Sequence, residues 1–318
     1  MENMEVSVLI TGGLGNLGSW LTHHFCQAGH EVTVLTKRLR KLEFDLPYKI
    51  IKCDISDEKD LKKSLDRSFD LVIHCASMNE GGGDKYAAQA LQINALGTRN
   101  LLEVLKEQPP RHFLYFSTFH VYGKASGTLT EESEAKPLND YGLTHLFAEY
   151  YVKQYHALHN IPYSIIRLSN SYGCPWDYES SKWYLILNDL SRMAFEKQEI
   201  VLKGNGKASR DFIWMGDVCQ IVEKLALQEA SNETFNLSSE TSYSLLDVAM
   251  AVQKAYQMKY ARLINVQINE NDPYKPGEPM LISSGKIKQK VTYEALPHFV
   301  EEAEKIFDFL EKRDGKTV

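Results

Sequence analysis

The chain has 318 residues, 43% of them hydrophobic, and a formal net charge of -6. That length supports one large domain or two closely packed ones without a disulfide staple, and the charge offers no global positive field for nucleic acid or an anionic membrane. Five dispersed cysteines, an odd number with no CxxC spacing, exclude a complete disulfide framework and read as reduced thiols. The start Met1-Glu2-Asn3-Met4-Glu5 is acidic where a secretory signal is basic, and no run approaches the roughly 18 to 20 apolar residues of a membrane span. A cytoplasmic protein with no membrane, nucleic-acid or metal partner is expected.

Short β-branched runs at 6–10, 31–36, 48–52, 71–74, 112–116 and 163–168 alternate with helical patterns at 16–28, 57–66, 84–107 and 139–159. This alternation predicts βαβ units, and so an α/β fold of Rossmann type with a doubly wound parallel sheet and right-handed crossovers. Beyond 170 the pattern becomes irregular: a helix near 181–196, a turn at Gly204-Asn205-Gly206, and a helix opened by a capping box from Ser244. A proline-bearing loop over 268–280 and an amphipathic helix at 299–312 close the chain. The predicted organisation is a first lobe over 1–170, to which later segments return, and a smaller C-terminal lobe over 171–318.

Directly after the first strand, Thr11-Gly12-Gly13-Leu14-Gly15-Asn16-Leu17-Gly18 gives a GxxGxxG run that leads into a helix. Gly12 allows the tight turn, Gly15 lets backbone amides approach a pyrophosphate, and Gly18 lets the helix pack close to the strand. Gly12, Gly15, Asn16, Leu17 and Gly18 are the predicted dinucleotide contacts, with the helix N-terminus supplying donors and partial positive charge. After the second strand, Lys37 and Arg38 stand where an acidic residue would select NAD, which favours a 2′-phosphate and hence NADP. The same run also reads as the start of a basic surface loop. Asp54 and Ile55, after the third strand, are candidates for the adenine.

The order of several segments resembles the extended short-chain dehydrogenase/reductases, the group containing nucleotide-sugar epimerases, dehydratases and reductases, over nearly the whole chain. Ile73-His74-Cys75-Ala76-Ser77 resembles the fourth strand, whose end lies beside the nicotinamide ribose, so Ala76 and Ser77 join the cofactor contacts. Asn94-Ala95-Leu96-Gly97-Thr98 resembles the asparagine-bearing helix beneath it. In Ser117-Thr118-Phe119-His120-Val121-Tyr122-Gly123, Thr118 takes the place of the hydroxyl that bonds the reacting oxygen, and Tyr141 that of the catalytic tyrosine. Phe119-His120 stands where dehydratase relatives carry Asp-Glu, which argues against 4,6-dehydration and leaves His120 as a substrate contact or a packed histidine.

The largest departure is at the fourth residue after Tyr141, where the family's lysine is His145; Pro137 and Glu149 hold the register. Residues four apart share a helix face, so His145 can still reach a nicotinamide ribose. A fixed ammonium, however, draws a tyrosine from its usual pKa near 10 toward neutrality, and a histidine of ordinary pKa near 6.5 is mostly uncharged at pH 7. On the substrate side, Asn170 in Arg167-Leu168-Ser169-Asn170 and Arg210 in Gly206-Lys207-Ala208-Ser209-Arg210 resemble the family's diphosphate contacts, and a guanidinium grips phosphate bidentately.

The resemblance therefore implies an NAD(P)-dependent enzyme acting on a nucleotide-diphosphate sugar by hydride transfer at a sugar carbon, with Tyr141 as acid/base. Epimerase stands first among the reactions, with reductase or dehydrogenase beside it. Two alternatives stay open: a non-catalytic or redox-sensing NAD(P)-binding protein, and a reductase of a non-nucleotide carbonyl. Helices 84–107 and 139–159 resemble those through which relatives form a four-helix homodimer interface.

Overall fold

The computed structural model describes residues 5–79, 85–124, 126–179 and 181–315; the acidic start at 1–4 and residue 84 of the predicted third helix lie outside them. In chain order the first elements are β1 (Ser7–Thr11), α1 (Asn16–Gln27), β2 (Glu31–Thr36), β3 (Lys49–Lys52), α2 (Glu58–Ser64) and β4 (Leu71–His74). There follow α3 (Tyr86–Ala90), a π-helical turn Leu91–Leu96, α4 (Gly97–Leu105), β5 (His112–Thr118), a 3-10 turn Phe119–Tyr122, β6 (Gly127–Leu129), α5 (Asp140–His159) and β7 (Tyr163–Leu168). The remainder comprises β8 (Asn170–Tyr172), α6 (Ile186–Lys197), β9 (Glu199–Val201), β10 (Ser209–Trp214), α7 (Met215–Ala226) and β11 (Glu233–Leu237). Last come β12 (Ser242–Ser244), α8 (Leu245–Tyr260), β13 (Asn265–Gln267), β14 (Met280–Ile282), α9 (Gly285–Lys288) and α10 (Phe299–Arg313).

Seven strands form one parallel sheet in the order β11-β7-β5-β4-β1-β2-β3. Side chains alternate along a strand, so in β1 Val8 and Ile10 join the core with α1 and α7, while Leu9 joins that with α2, α4 and α5. Both faces of the five inner strands are covered, which is why these read as nearly continuous apolar runs. A third core, among Leu187, Leu190, Val248, Val252, Ile306 and Phe307, holds α6, α8 and α10 together as the smaller lobe.

Two segments after residue 170 lie with the first lobe: α7 packs with α1, and β11 extends the sheet beyond β7. The predicted helix at 84–107 is interrupted by the π-helical turn, and the fifth strand continues two residues past its predicted end to Thr118. Ser244 does cap α8 through a box with Asp247. No helix among the described residues is long and apolar enough to cross a membrane.

Candidate active site

In a doubly wound sheet the ligand crevice lies at the carboxyl ends of the strands, where the strand order reverses; here that point is between β1 and β4. Thr11 of β1 is paired with His74 of β4 and Leu35 of β2, and Thr118 of β5 with Leu168 of β7, two residues before Asn170. Parallel register thus brings the glycine loop, the segment after His74, Thr118 and Asn170 to one edge.

Gly12 has φ 67°, in the left-handed region, and a Cβ there would lie 2.8 Å from the Cα of Ala76. At Gly18 a Cβ would lie 2.1 Å from the Gly12 carbonyl oxygen, so only glycine lets α1 start so close to β1. The N-cap Gly15 makes no side-chain bond and the first turn of α1 has no acidic residue, which leaves its amides and partial positive charge for an anion. The carbonyl oxygen of the Asn16 side chain is buried without a partner among the described residues. A buried acceptor of this kind is costly unless a donor arrives.

At the end of β2, Lys37 pairs with Asp54 at 2.5 Å, and Asp54 also accepts from the Ser56 amide and hydroxyl at 3.0 and 2.7 Å. Burial pushes the Asp54 carboxyl up, but Lys37 and Ser56 outweigh it and hold it below the usual carboxylate range. Arg38 is exposed and has no ion-pair partner among the described residues. Ile55 is buried against Gly97, where an added Cβ would lie 2.8 Å from its Cδ1.

Asn139 caps α5 by accepting the Gly142 amide at 2.8 Å. A Cβ at Gly142 would lie 2.6 Å from the His120 carbonyl oxygen, so the first turn of α5 sits directly on the 3-10 turn after Thr118. This contact brings Tyr141 edge-on to the His120 ring, at 5.5 Å between centroids, while Phe119 flanks His120 at 4.3 Å. Thr118 accepts the His120 amide at 3.2 Å and keeps its hydroxyl proton to donate.

His145 is 2% exposed, with its ring 4.5 Å from that of Tyr141. Its Nδ1 lies 3.1 Å from the Tyr141 carbonyl oxygen, which can only accept, so Nδ1 carries the proton. Burial pushes the imidazole down to about 4; the bond to the carbonyl opposes this, and neighbouring His120 reinforces it. At neutral pH His145 is therefore uncharged, with the lone pair on Nε2. Behind it, buried Glu149 accepts Arg167 at 2.9 and 2.7 Å and Ser117 at 2.6 Å, so the nearby carboxylate is already paired.

On the substrate side, Asn170 lies opposite Phe212 on β10 and donates to the Asp211 carbonyl at 2.9 Å. Arg210 is exposed on the same strand without an ion-pair partner among the described residues. Asp211 is not that partner, because its carboxylate is buried and bonded by Ser169 at 2.5 Å and by Ser239. The resemblance places Asn94 on the helix beneath the segment from Ala76 to Met78 but gives it no role, and Thr11 reads only as part of the glycine run; these two side chains bond that segment. Asn94, on the π-helical turn, accepts the Met78 amide at 2.6 Å and donates to its carbonyl and to Thr144.

The sequence profile of the NAD dependent epimerase/dehydratase family matches residues 8–238. A dTDP-glucose 4,6-dehydratase of Streptomyces niveus is 25% identical over 266 residues, covering 78% of this chain and 77% of the relative. A dTDP-L-rhamnose 4-epimerase of Burkholderia thailandensis is also 25% identical, over 295 residues, with coverages of 78% and 81%. Among solved structures, UDP-N-acetylglucosamine 4-epimerase from Methanobrevibacter ruminantium superposes with a TM-score of 0.82 at 20% identity, over 97% of this chain and 99% of that one. The profile runs from β1 through β11 and so takes in the glycine loop, Tyr141 and the last strand of the sheet; the chain belongs to the NAD dependent epimerase/dehydratase family.

Proposed function

We propose that this protein is an enzyme that binds a nicotinamide dinucleotide along the glycine loop and a nucleotide-diphosphate sugar beside β8 and β10, and transfers hydride at a sugar carbon. The observation that carries this reading is the convergence, at one sheet edge, of an uncapped anion-ready helix with Thr118 and Tyr141. The glycine cradle fits a pyrophosphate and the orphaned Asn16 oxygen fits a hydroxyl donor; a dinucleotide carries both, and it would be held by Gly12, Gly15, Asn16, Leu17 and Gly18, with Ala76 and Ser77 nearer the nicotinamide. Such a group supplies a hydride acceptor and, when oxidised, a positive charge.

The chain's own residues supply the remaining functions. Tyr141 moves the proton of the sugar oxygen, Thr118 donates to that oxygen, and neutral His145 offers Nε2 as an acceptor to a cofactor hydroxyl. Asp54 and Ile55 border the adenine. Lys37 and Arg38 favour the 2′-phosphate of NADP; since Asp54 already engages Lys37, the unpaired Arg38 is the main discriminator. Asn170 and Arg210 hold the diphosphate and His120 borders the sugar. Relatives of both kinds match at 25% identity, so it is Phe119-His120 in place of a carboxylate pair that favours epimerisation over dehydration.

Arg210→Ala tests the substrate side. It removes a charge-assisted contact of about 1.5 to 3 kcal/mol, so nucleotide-sugar affinity is expected to fall roughly 10- to 100-fold with dinucleotide affinity unchanged, both read by titration calorimetry. Unchanged affinity for every nucleotide sugar would instead favour a non-nucleotide carbonyl as substrate. The second reading, a binder without turnover, is favoured by the neutral His145, which leaves Tyr141 without the family's cation.

We also propose a homodimer through α5 and the π-helical turn. A groove of about 600 Å³ there is lined by Leu91, Ala95, Leu96, Phe147, Tyr150 and Tyr151, with Leu91 and Phe147 about 40% exposed. Exposed apolar patches of this kind mark association sites. Phe147→Asp is expected to convert a dimer to a monomer in sedimentation velocity; an unaltered dimer would place the interface elsewhere.

A further inference from the structure

His74 ends β4 at 0% exposure, and both its nitrogens are bonded: Nδ1 to Thr11 Oγ1 at 2.6 Å and Nε2 to Thr98 Oγ1 at 2.9 Å. Proton accounting fixes the direction of this chain. Thr98 Oγ1 lies 2.5 Å from the Asn94 carbonyl oxygen, a separation tolerable only with the hydroxyl proton between them. Thr98 can then only accept from His74, so Nε2 carries the ring proton. Burial keeps the imidazole neutral, pushing it down to about 3, and His145 nearby acts the same way. Nδ1 is therefore bare and accepts from Thr11, whose oxygen in turn accepts the Ala76 amide at 3.2 Å.

The segment Ala76 to Met78 is thus held at both ends, by Thr11 through His74 and by the Asn94 clamp on Met78. The same asparagine reaches Thr144, beside His145 on α5, and Thr144 donates to the Asp140 carbonyl at 2.7 Å. This segment touches the glycine loop, since a Cβ on Gly12 would meet Ala76 at 2.8 Å.

We infer that His74 is a positioning residue for the dinucleotide: as a neutral, Nε2-protonated imidazole it sets the spacing between the glycine loop and the segment from Ala76 to Met78. This role rests on the dinucleotide reading above. A protonated ring would direct a second donor at Thr11, whose own proton would then lose its acceptor, so the frame holds only with the neutral tautomer.

His74→Leu removes both bonds at similar volume and is expected to weaken NAD or NADP binding about tenfold with UDP-glucose affinity unchanged. His74→Gln, whose amide can donate to Thr98 and accept from Thr11, should restore most of the affinity. Thr98→Val keeps the ring and should reproduce part of the loss, which covers the case in which His74→Leu does not fold. Nitrogen-15 NMR of the ligand-free protein should show a protonated Nε2, a bare Nδ1 and no titration between about pH 5 and 8. A protonated Nδ1 or a titrating ring overturns the frame. Equal losses for UDP-glucose and the dinucleotide, or no loss in either variant, overturn the positioning role. If the unaltered protein binds neither NAD nor NADP, the functional reading fails and the positioning role with it, whereas the NMR result still decides the tautomer.

Discussion

Tyr141→Phe is expected to reduce hydride transfer by about 10²- to 10⁴-fold, the usual contribution of a positioned acid/base, while dinucleotide affinity stays close to that of the unaltered protein. The substitution removes one oxygen and leaves the ring that packs edge-on to His120 and against His145. The cap by Asn139 and the close contact of Gly142 with His120 do not depend on that oxygen, so α5 should keep its place. Single-turnover rates with a nucleotide sugar, paired with dinucleotide titration, separate the two effects. A variant that transfers hydride as fast as the parent would remove Tyr141 from the chemistry.

His145→Lys is the prediction of opposite sign. The native imidazole is neutral because it is sealed from solvent and donates Nδ1–H to the Tyr141 carbonyl, so the position carries no charge at neutral pH. An ammonium within about 4 to 6 Å of a phenol lowers its pKa by about 1 to 3 units, which raises the reactive tyrosinate fraction at pH 7 by about 10- to 500-fold from that of an ordinary phenol of pKa near 10. Hydride transfer should increase by at least the lower figure, and the alkaline rise of the rate should move to lower pH. The burial that suppresses imidazolium also works against the new ammonium, so the gain should lie toward the lower end of that range. Loss of transfer in a folded, dinucleotide-binding variant would mean that the acceptor nitrogen of His145 has a role of its own.

Much of the fold is legible because the five inner strands of the sheet, β7, β5, β4, β1 and β2, are buried along nearly their whole length, and because the exposed edge strand β3 still carries the β-branched pair Ile50-Ile51. β11, Glu233-Thr-Phe-Asn-Leu237, is not legible in this way. Its polar residues are satisfied by distant partners, Asn236 by the Tyr122 hydroxyl at 2.6 Å and by Glu131, and only the folded chain reveals those bonds. The π-helical turn is invisible for another reason: the apolar period of 84–107 barely changes when one turn widens. At the site, spacing identifies the glycine loop and the shared face of Tyr141 and His145, because both are local. The pairing of Lys37 with Asp54, the occupied carboxylate of Asp211 and the His74 frame all join residues from separate strand ends, so no local pattern could show them.

Conversion of a nucleotide sugar tests the central claim most directly. Purified protein, with its released dinucleotide identified by mass spectrometry, is incubated with a panel of nucleotide sugars while absorbance is followed at the reduced-nicotinamide band and products are resolved by NMR. The account predicts an isomer of one sugar with no lasting absorbance change. Tight binding of both dinucleotide and sugar, with neither an isomer nor any absorbance change, would contradict it.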